Sequence, residues 1–409
     1  MRGRSHGDGE LGRTGVSDPG ARAPAPDRSL RRPAGLAIAA GAATVLPGFL
    51  VGALALQIRA DLDVSVAAVA TGVTVFFAAG ALGAGAGGRL AERMGALRSI
   101  LACVVATAAC LLLAALAAQS LAVLLMLLAV AGLANAVTQP AINLFMADQV
   151  PLARQGLAFG IKQAAIPAAV LVSGLALPLL ALPLGWRPTF AICAAGVLAV
   201  AVVVRRSATS FAPVPQRDRA PRPSRALIVT AVGAALASAG PNSLGAYLVA
   251  SAVDVGIAEG MAGLLAAAGS GVSLLARVAL GERADRRRDY GYTAVVALLL
   301  SGSLGFALLA SGEAALFVAG VFVAFALGWG WPGLFNLAVV DLNREAPGAA
   351  TGVTQTGIYV GAAAGPALYG VVSAEYGYSA AWAASGALCL LAAVAFWHAA
   401  QLARRQVPV

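Results

Sequence analysis

Lys162 is the only lysine in the 409-residue chain, and it stands inside an apolar run, about six residues from where that run begins. An ionisable side chain in such a run points by default to substrate or coupling charge, because placing it in hydrocarbon costs about 2.5–3.5 kcal/mol on insertion scales. A second reading stays open. Cβ bonds tilt toward a helix N-terminus, and at about 9 Å of depth by helix rise the four-carbon stem can snorkel to water. Uncharged hydrogen-bonding groups recur in other apolar runs. Asn135, Gln139 and Asn143 repeat every four residues; Asn242, Ser243 and Tyr247 lie together; Trp329, Trp331 and Asn336 form a third set; Gln163, Gln355 and Tyr359 complete it. Amides, phenols, indoles and one ammonium suit a small anionic or polar neutral solute. For each residue singly, hydrogen bonding between helices is the alternative use.

Several chemistries are excluded. The two histidines, His6 and His398, sit near opposite ends of the chain, so a Ser-His-Asp triad, a zinc site or a histidine relay in its middle has no material. Cys103, Cys110, Cys193 and Cys389 all lie in apolar runs, and no disulfide or metal framework follows. With no nucleophile paired to a base, neither an enzyme nor a cofactor is expected. Asp148, Asp341 and Glu345 fall at one set of run ends, and Asp61, Asp63, Asp254, Glu259, Glu313 and Glu375 at the other. The absence of a mid-run carboxylate disfavours proton symport on an acid, and disfavours a buried acid that would recognise cationic drugs.

The elements that position these groups follow from composition. Sixty per cent of the chain is apolar and 11% charged, against roughly 45–50% and 25% in soluble proteins, so the solvent is lipid. A bilayer span needs about 20 mostly apolar residues, and twelve can be drawn: 34–56, 66–88, 99–118, 121–147, 156–181, 188–204, 226–252, 259–280, 291–310, 314–340, 348–373 and 379–401. Residues 1–33 carry seven arginines and no apolar run, and read as a disordered cytoplasmic tail without a cleavable signal. A proline- and arginine-rich linker, 205–225, separates a six-helix half at 34–204 from another at 226–401, with a short tail at 402–409. Pro47, Pro140, Pro167, Pro178, Pro241, Pro332 and Pro366 are kink candidates.

The net charge of +10 suggests nucleic acid until its placement is read. If the N-terminus is cytoplasmic, 24 arginines fall on the inner side and only Arg59 and Arg187 on the outer, with Arg277 at the inner edge of its span. That bias predicts a multi-pass protein of the cell membrane with both termini inside. It calls for a lipid bilayer and a small-molecule substrate as partners, with no nucleic acid, and for a monomer.

The halves also match each other. At a shift of 192 residues Pro140 meets Pro332, Gly156 meets Gly348, Gly160 meets Gly352, Gln163 meets Gln355 and Gly185 meets Gly377. A parallel repeat of six plus six spans implies a pseudo-two-fold axis along the membrane normal and a midplane cavity between the halves.

Gly88-Arg89-Leu90-Ala91-Glu92-Arg93-Met94-Gly95-Ala96-Leu97-Arg98, between spans 2 and 3, resembles motif A of the major facilitator superfamily. Gly281-Glu282-Arg283-Ala284-Asp285-Arg286, between spans 8 and 9, is similar to a degraded second copy, and Gly185-Trp186-Arg187 matches the turn before span 6. The resemblance covers residues 34–401. It implies an all-α membrane fold of two parallel six-helix repeats. It also implies secondary active or facilitative transport by alternating access, with spans 1, 4, 7 and 10 lining the cavity. Many members are similar to the Gly-Ile-Lys-Gln run at 160–163, which favours a substrate or coupling role for Lys162. In the family the loop between spans 2 and 3 faces the start of span 11, here near Gly348. A carboxylate is favourable at a helix N-terminus, so Glu92, positioned by Arg93, is expected to latch the halves in one state. Gly88, Gly95 and Arg98 belong to the same latch, and Gly281, Asp285 and Arg286 to its second copy. The alternative for Glu92 and Arg93 is a solvated pair worth about 0–1 kcal/mol. Span 5 lacks the Gly-Pro-x-x-Gly-Gly pattern of drug/proton antiporters, which Gly361 to Pro366 only echo. Besides an anionic or polar neutral substrate, the alternative is efflux of a hydrophobic drug or secreted metabolite held by Trp329, Trp331 and Tyr359. A more remote one is a non-transporting sensor or scaffold.

Overall fold

The computed structural model describes residues 28–149, 155–207, 224–286, 291–344 and 347–406. The whole tail before residue 28 and most of the linker therefore lie outside the described residues, as do Arg154, Arg287, Arg288 and Glu345. Every described element is helical. In hydrocarbon this is the expected solution, since a helix satisfies its own backbone where no water can.

Eleven stretches are long and apolar enough to cross a membrane, and the last, Ala350–Ala403, has length enough for two. Gly377 divides it, with φ 81° and ψ 170°. Twelve spans result. Span 1 is Arg28–Ala53, followed by the short helix Ala55–Leu62; spans 2, 3 and 4 are Val66–Met94, Ala96–Ala117 and Leu121–Gln149. Span 5 comprises Gln155–Gln163, Ala165–Ala176, a π turn Leu177–Ala181 and Leu182–Leu184; span 6 is Trp186–Arg206. Spans 7, 8 and 9 are Arg225–Asp254, Glu259–Arg286 and Tyr292–Leu309. Span 10 is Ala314–Val323, a π turn Ala324–Gly328 and Pro332–Leu342, and Pro347–Gln406 holds spans 11 and 12. Side chains such as Leu116, Met126, Leu275 and Val394 are exposed around the perimeter, where hydrocarbon tails would meet them.

Local chemistry sets several boundaries. Ser65 accepts from the Ala68 amide (3.1 Å) and Ser224 from the Leu227 amide (3.2 Å), so each caps the span that follows. Spans 2 and 8 run six residues past the expected ends at 88 and 280, because their arginine-bearing turns stay helical beyond the apolar run. The prolines divide into two groups. Pro47, Pro140, Pro241 and Pro366 lie inside continuous helices, whereas Pro167, Pro178 and Pro332 accompany the interruptions of spans 5 and 10.

The repeat is visible in the backbone. Gly185 (φ 90°, ψ 166°) and Gly377 (φ 81°, ψ 170°) occupy equivalent corners in a conformation that side chains rarely adopt. Beside the first corner, Asp61 accepts from the Trp186 indole (3.1 Å) and from Arg187 (2.8 Å), joining the short helix after span 1 to the start of span 6. The four cysteines are free and buried.

One expectation is corrected. Arg277 does not sit at the edge of span 8, because the helix continues to Arg286; Arg277 is 1% exposed.

Candidate functional site

A small, largely closed cavity lies between the two halves. Its walls come from span 1 (Val45), span 2 (Phe77), span 4 (Asn135, Gln139) and span 5 (Gln163, Ile166) on one side. Span 7 (Ser238, Asn242), span 10 (Trp329, Trp331, Pro332) and span 11 (Gln355, Ile358, Tyr359, Ala362) supply the other. Gln163 and Gln355, partners at the 192-residue shift, therefore face one space from opposite halves.

Polar groups in the wall are linked to each other. Asn135 Oδ1 accepts from Gln139 Nε2 (3.3 Å), and Thr44 Oγ1 lies 3.4 Å from the same oxygen. Asn135 Nδ2 donates to the Tyr359 hydroxyl at 3.5 Å, a long bond that crosses between the halves. Asn242 Nδ2 is spent on the Ser238 carbonyl of its own helix (2.8 Å). The Trp331 indole N–H is buried and has no acceptor among the described residues. Aromatic contacts bridge the halves as well: Phe49 meets Trp329 edge-on at 5.8 Å, and Phe77 lies 6.5 Å from Tyr359.

Five polar candidates singled out in the sequence do not line this cavity, among them Ser243, whose hydroxyl returns to the Ala239 carbonyl (3.1 Å). Asn143 is exposed. A step of four residues overshoots the 3.6-residue turn by about 40°, so two steps from Asn135 carry Asn143 off the cavity face. Tyr247 stacks on Tyr369 at 4.5 Å and packs span 7 against span 11. Asn336 returns its amide to the Pro332 carbonyl (2.9 Å). Lys162 is 9% exposed and, among the described residues, forms no hydrogen bond or ion pair.

Sequence reasoning missed Arg277 as a central residue. Its guanidinium donates through Nε (3.0 Å) and Nη2 (2.6 Å) to the Trp329 carbonyl and through Nη1 to the Gln163 carbonyl, and Cζ stands 5.7 Å from the Trp329 ring centre. The residues alone held no clear signal, since only the structure shows the helix running nine residues beyond this arginine. Among the described residues Lys162 and Arg277 are the buried charged side chains, and both are cations.

The latch residues behave differently in the two copies. Glu92, Arg93 and Arg98 are exposed, Gly88 has open space around it, and Gly95 (φ 82°) makes the corner between spans 2 and 3. Glu92 forms no hydrogen bond or ion pair among the described residues, and the side chains around Gly348 lie outside them. In the second copy, Asp285 accepts from the Leu157 amide (2.9 Å) in the first turn of span 5, where a carboxylate is favoured. Gly281 packs against Gly160, and Arg286 pairs with Glu282 at 2.6 Å on the surface. An Asp285→Ala variant is expected to speed hydrogen exchange at the Leu157 amide by a few-fold to about tenfold, the equivalent of about 0.3–1 kcal/mol or somewhat more. Exchange at the wild-type rate would remove Asp285 from the latch.

A family profile described as Major Facilitator Superfamily matches the chain over residues 36–240 and again over 227–408. The chain belongs to the major facilitator superfamily. It is thus a membrane transporter of small solutes, built from two parallel six-helix repeats. A search of curated proteins found no match for this superfamily member.

Proposed function

We propose that this superfamily member carries a small organic anion across the cell membrane by alternating access, with its termini and the loop between spans 2 and 3 on the cytoplasmic side. One observation carries the reading: both charged side chains buried among the described residues, Lys162 and Arg277, are cations, with no buried carboxylate to neutralise them. Neither lines the cavity, so an anion entering the space between the halves supplies the missing countercharge through space rather than by contact, and that attraction offsets part of its lost hydration. The cavity wall adds the Trp331 indole N–H and the amides of Gln139, Gln163 and Gln355 as donors.

The energetics also bear on driving force. With no buried acid among the described residues, a proton has no carboxylate to ride on beside the solute. Uniport or exchange of the anion fits these groups better than acid-based proton symport. Moving one negative charge outward is downhill in an inside-negative potential and gains about 2.3 kcal/mol per 100 mV, so uniport would run as efflux.

A second reading is favoured by the apolar part of the wall, in which Phe77, Trp329, Trp331, Tyr359, Val45, Ile166 and Ile358 offer a surface for a lipophilic solute. Purified protein in proteoliposomes separates the two. Flux of labelled mono- and dicarboxylates that responds to an imposed membrane potential supports the anion carrier. Flux of lipophilic dyes alone, indifferent to potential, overturns it.

A further inference from the structure

Two breaks in helical hydrogen bonding face each other across the boundary between the halves. Gln163 ends the first helix of span 5, and the residue four positions on is Pro167, which has no N–H to return to the Gln163 carbonyl. Trp329 lies between the π turn of span 10 and the helix that restarts at Pro332; its N–H closes the π turn on the Ala324 carbonyl (2.9 Å), while its own carbonyl takes no backbone N–H among the described residues. Each break leaves a carbonyl that must find a donor elsewhere, since an unpaired buried carbonyl is costly. Arg277 of span 8 serves both.

The three bonds are unequally placed. Two hold the guanidinium to Trp329 within its own half, and one reaches Gln163 in the other half. Beside that contact the backbones approach closely: a Cβ on Gly160 would stand 2.8 Å from the Arg277 carbonyl oxygen, and one on Gly333 would stand 3.3 Å from Gly160 Cα. Spans 5, 8 and 10 are thus closed against each other on the side of the bundle where the chain begins.

We propose that Arg277 is the hook that holds this side closed and positions the cavity wall, with the Gln163 carbonyl, freed by Pro167, as its catch. When the halves part on this side the bond to Gln163 breaks, and Arg277 stays docked on Trp329. Because the side chains of Gln163 and Trp329 both line the cavity, closing the hook sets their spacing. The contact is charge-assisted and buried, unlike the partly exposed Asp285 contact one turn or more further out. This inference rests on backbone carbonyls and does not depend on the class of solute.

The test needs no substrate. Spin labels at Arg206→Cys and Arg344→Cys, both exposed and in opposite halves, report separation of the halves by pulsed electron resonance; the native cysteines are buried. Arg277→Met removes the donor, and Arg277→Lys keeps the charge with a single-point donor. Pro167→Ala is the decisive variant, because it returns an N–H to the Gln163 carbonyl, which then competes with the guanidinium and weakens the catch with Arg277 untouched. We expect the population open on this side to rise about tenfold in Arg277→Met and Pro167→Ala, and by less in Arg277→Lys. If Arg277→Met does not fold, Pro167→Ala carries the test. A Pro167→Ala population equal to wild type overturns the proposal, whatever Arg277→Met does.

Discussion

A Gly361→Val variant is expected to reduce the yield of folded, monodisperse protein after detergent extraction by about tenfold or more, with Gly361→Ala intermediate. Gly357, Gly361 and Gly365 lie four residues apart on span 11, and a Cβ on any of them would collide with the carbonyl of Ala231, Ala235 or Ala239 on span 7. The obstacle in each case is backbone, which cannot rotate aside as a side chain can. In lipid no hydrophobic force pulls helices together, so association depends on this close approach and the dispersion contacts it allows. Overpacking costs about 1–3 kcal/mol where neighbours adjust and more where they do not, and here the adjustment would separate spans 7 and 11 along three turns. Size-exclusion profiles and thermal denaturation check the result. A Gly361→Val protein with wild-type yield and melting temperature would show that the spans part without cost. In the Gly361 to Pro366 run, both glycines therefore serve the packing of span 11 on span 7.

Lys162→Met should lower anion flux in proteoliposomes by about tenfold to a hundredfold while leaving thermal stability equal or higher. The two halves of this expectation have one cause. A buried ammonium with no hydrogen bond or ion pair among the described residues carries an uncompensated desolvation cost, about 2.5–3.5 kcal/mol on insertion scales at mid-helix, and an arriving anion relieves it. Methionine keeps the apolar stem and removes the charge, so it relieves the cost permanently and removes the attraction. Loss of function with a gain in stability marks a group retained for its site. A snorkelling lysine would give neither effect, because its charge already lies in water. Unchanged flux of labelled carboxylates in Lys162→Met would sink the anchor role, and Lys162→Arg should retain part of the flux.

Much of this arrangement was legible in the residues, for reasons that can be named. Gln163 and Gln355 stand out because they share a Gly-x-x-x-Gly-x-x-Gln pattern at one shift, and a parallel repeat sends equivalent positions toward the same axis. Trp329, Trp331 and Tyr359 were suggested by polar aromatics inside apolar runs, and the structure puts all three at the cavity. Asn143 and Tyr247 were suggested by the same reasoning and lie elsewhere. The difference is a helix rotation of tens of degrees, which residue type does not encode. Arg277 was hidden by the positive-inside pattern: an arginine near a run end reads as topology until the helix is seen to continue past it. The catch it uses was hidden more deeply, since Pro167 marks a missing donor and says nothing of which side chain replaces it.

By itself the sequence determined the solvent, the twelve spans and their two-fold repetition. Those properties are sums over many residues, namely apolar length, arginine bias and co-linear Gly, Pro and Gln pairs, and a sum survives errors of a few residues at each boundary. Only the tertiary structure decided that Arg277 reaches across the halves, that Asp285 caps the start of span 5, and that Lys162 is buried with no partner among the described residues. Each of those depends on a contact of about 3 Å between segments more than 100 residues apart in the chain, or on its absence. Such contacts are set by how closely glycine-bearing backbones approach one another, a quantity that exists only once the helices have packed.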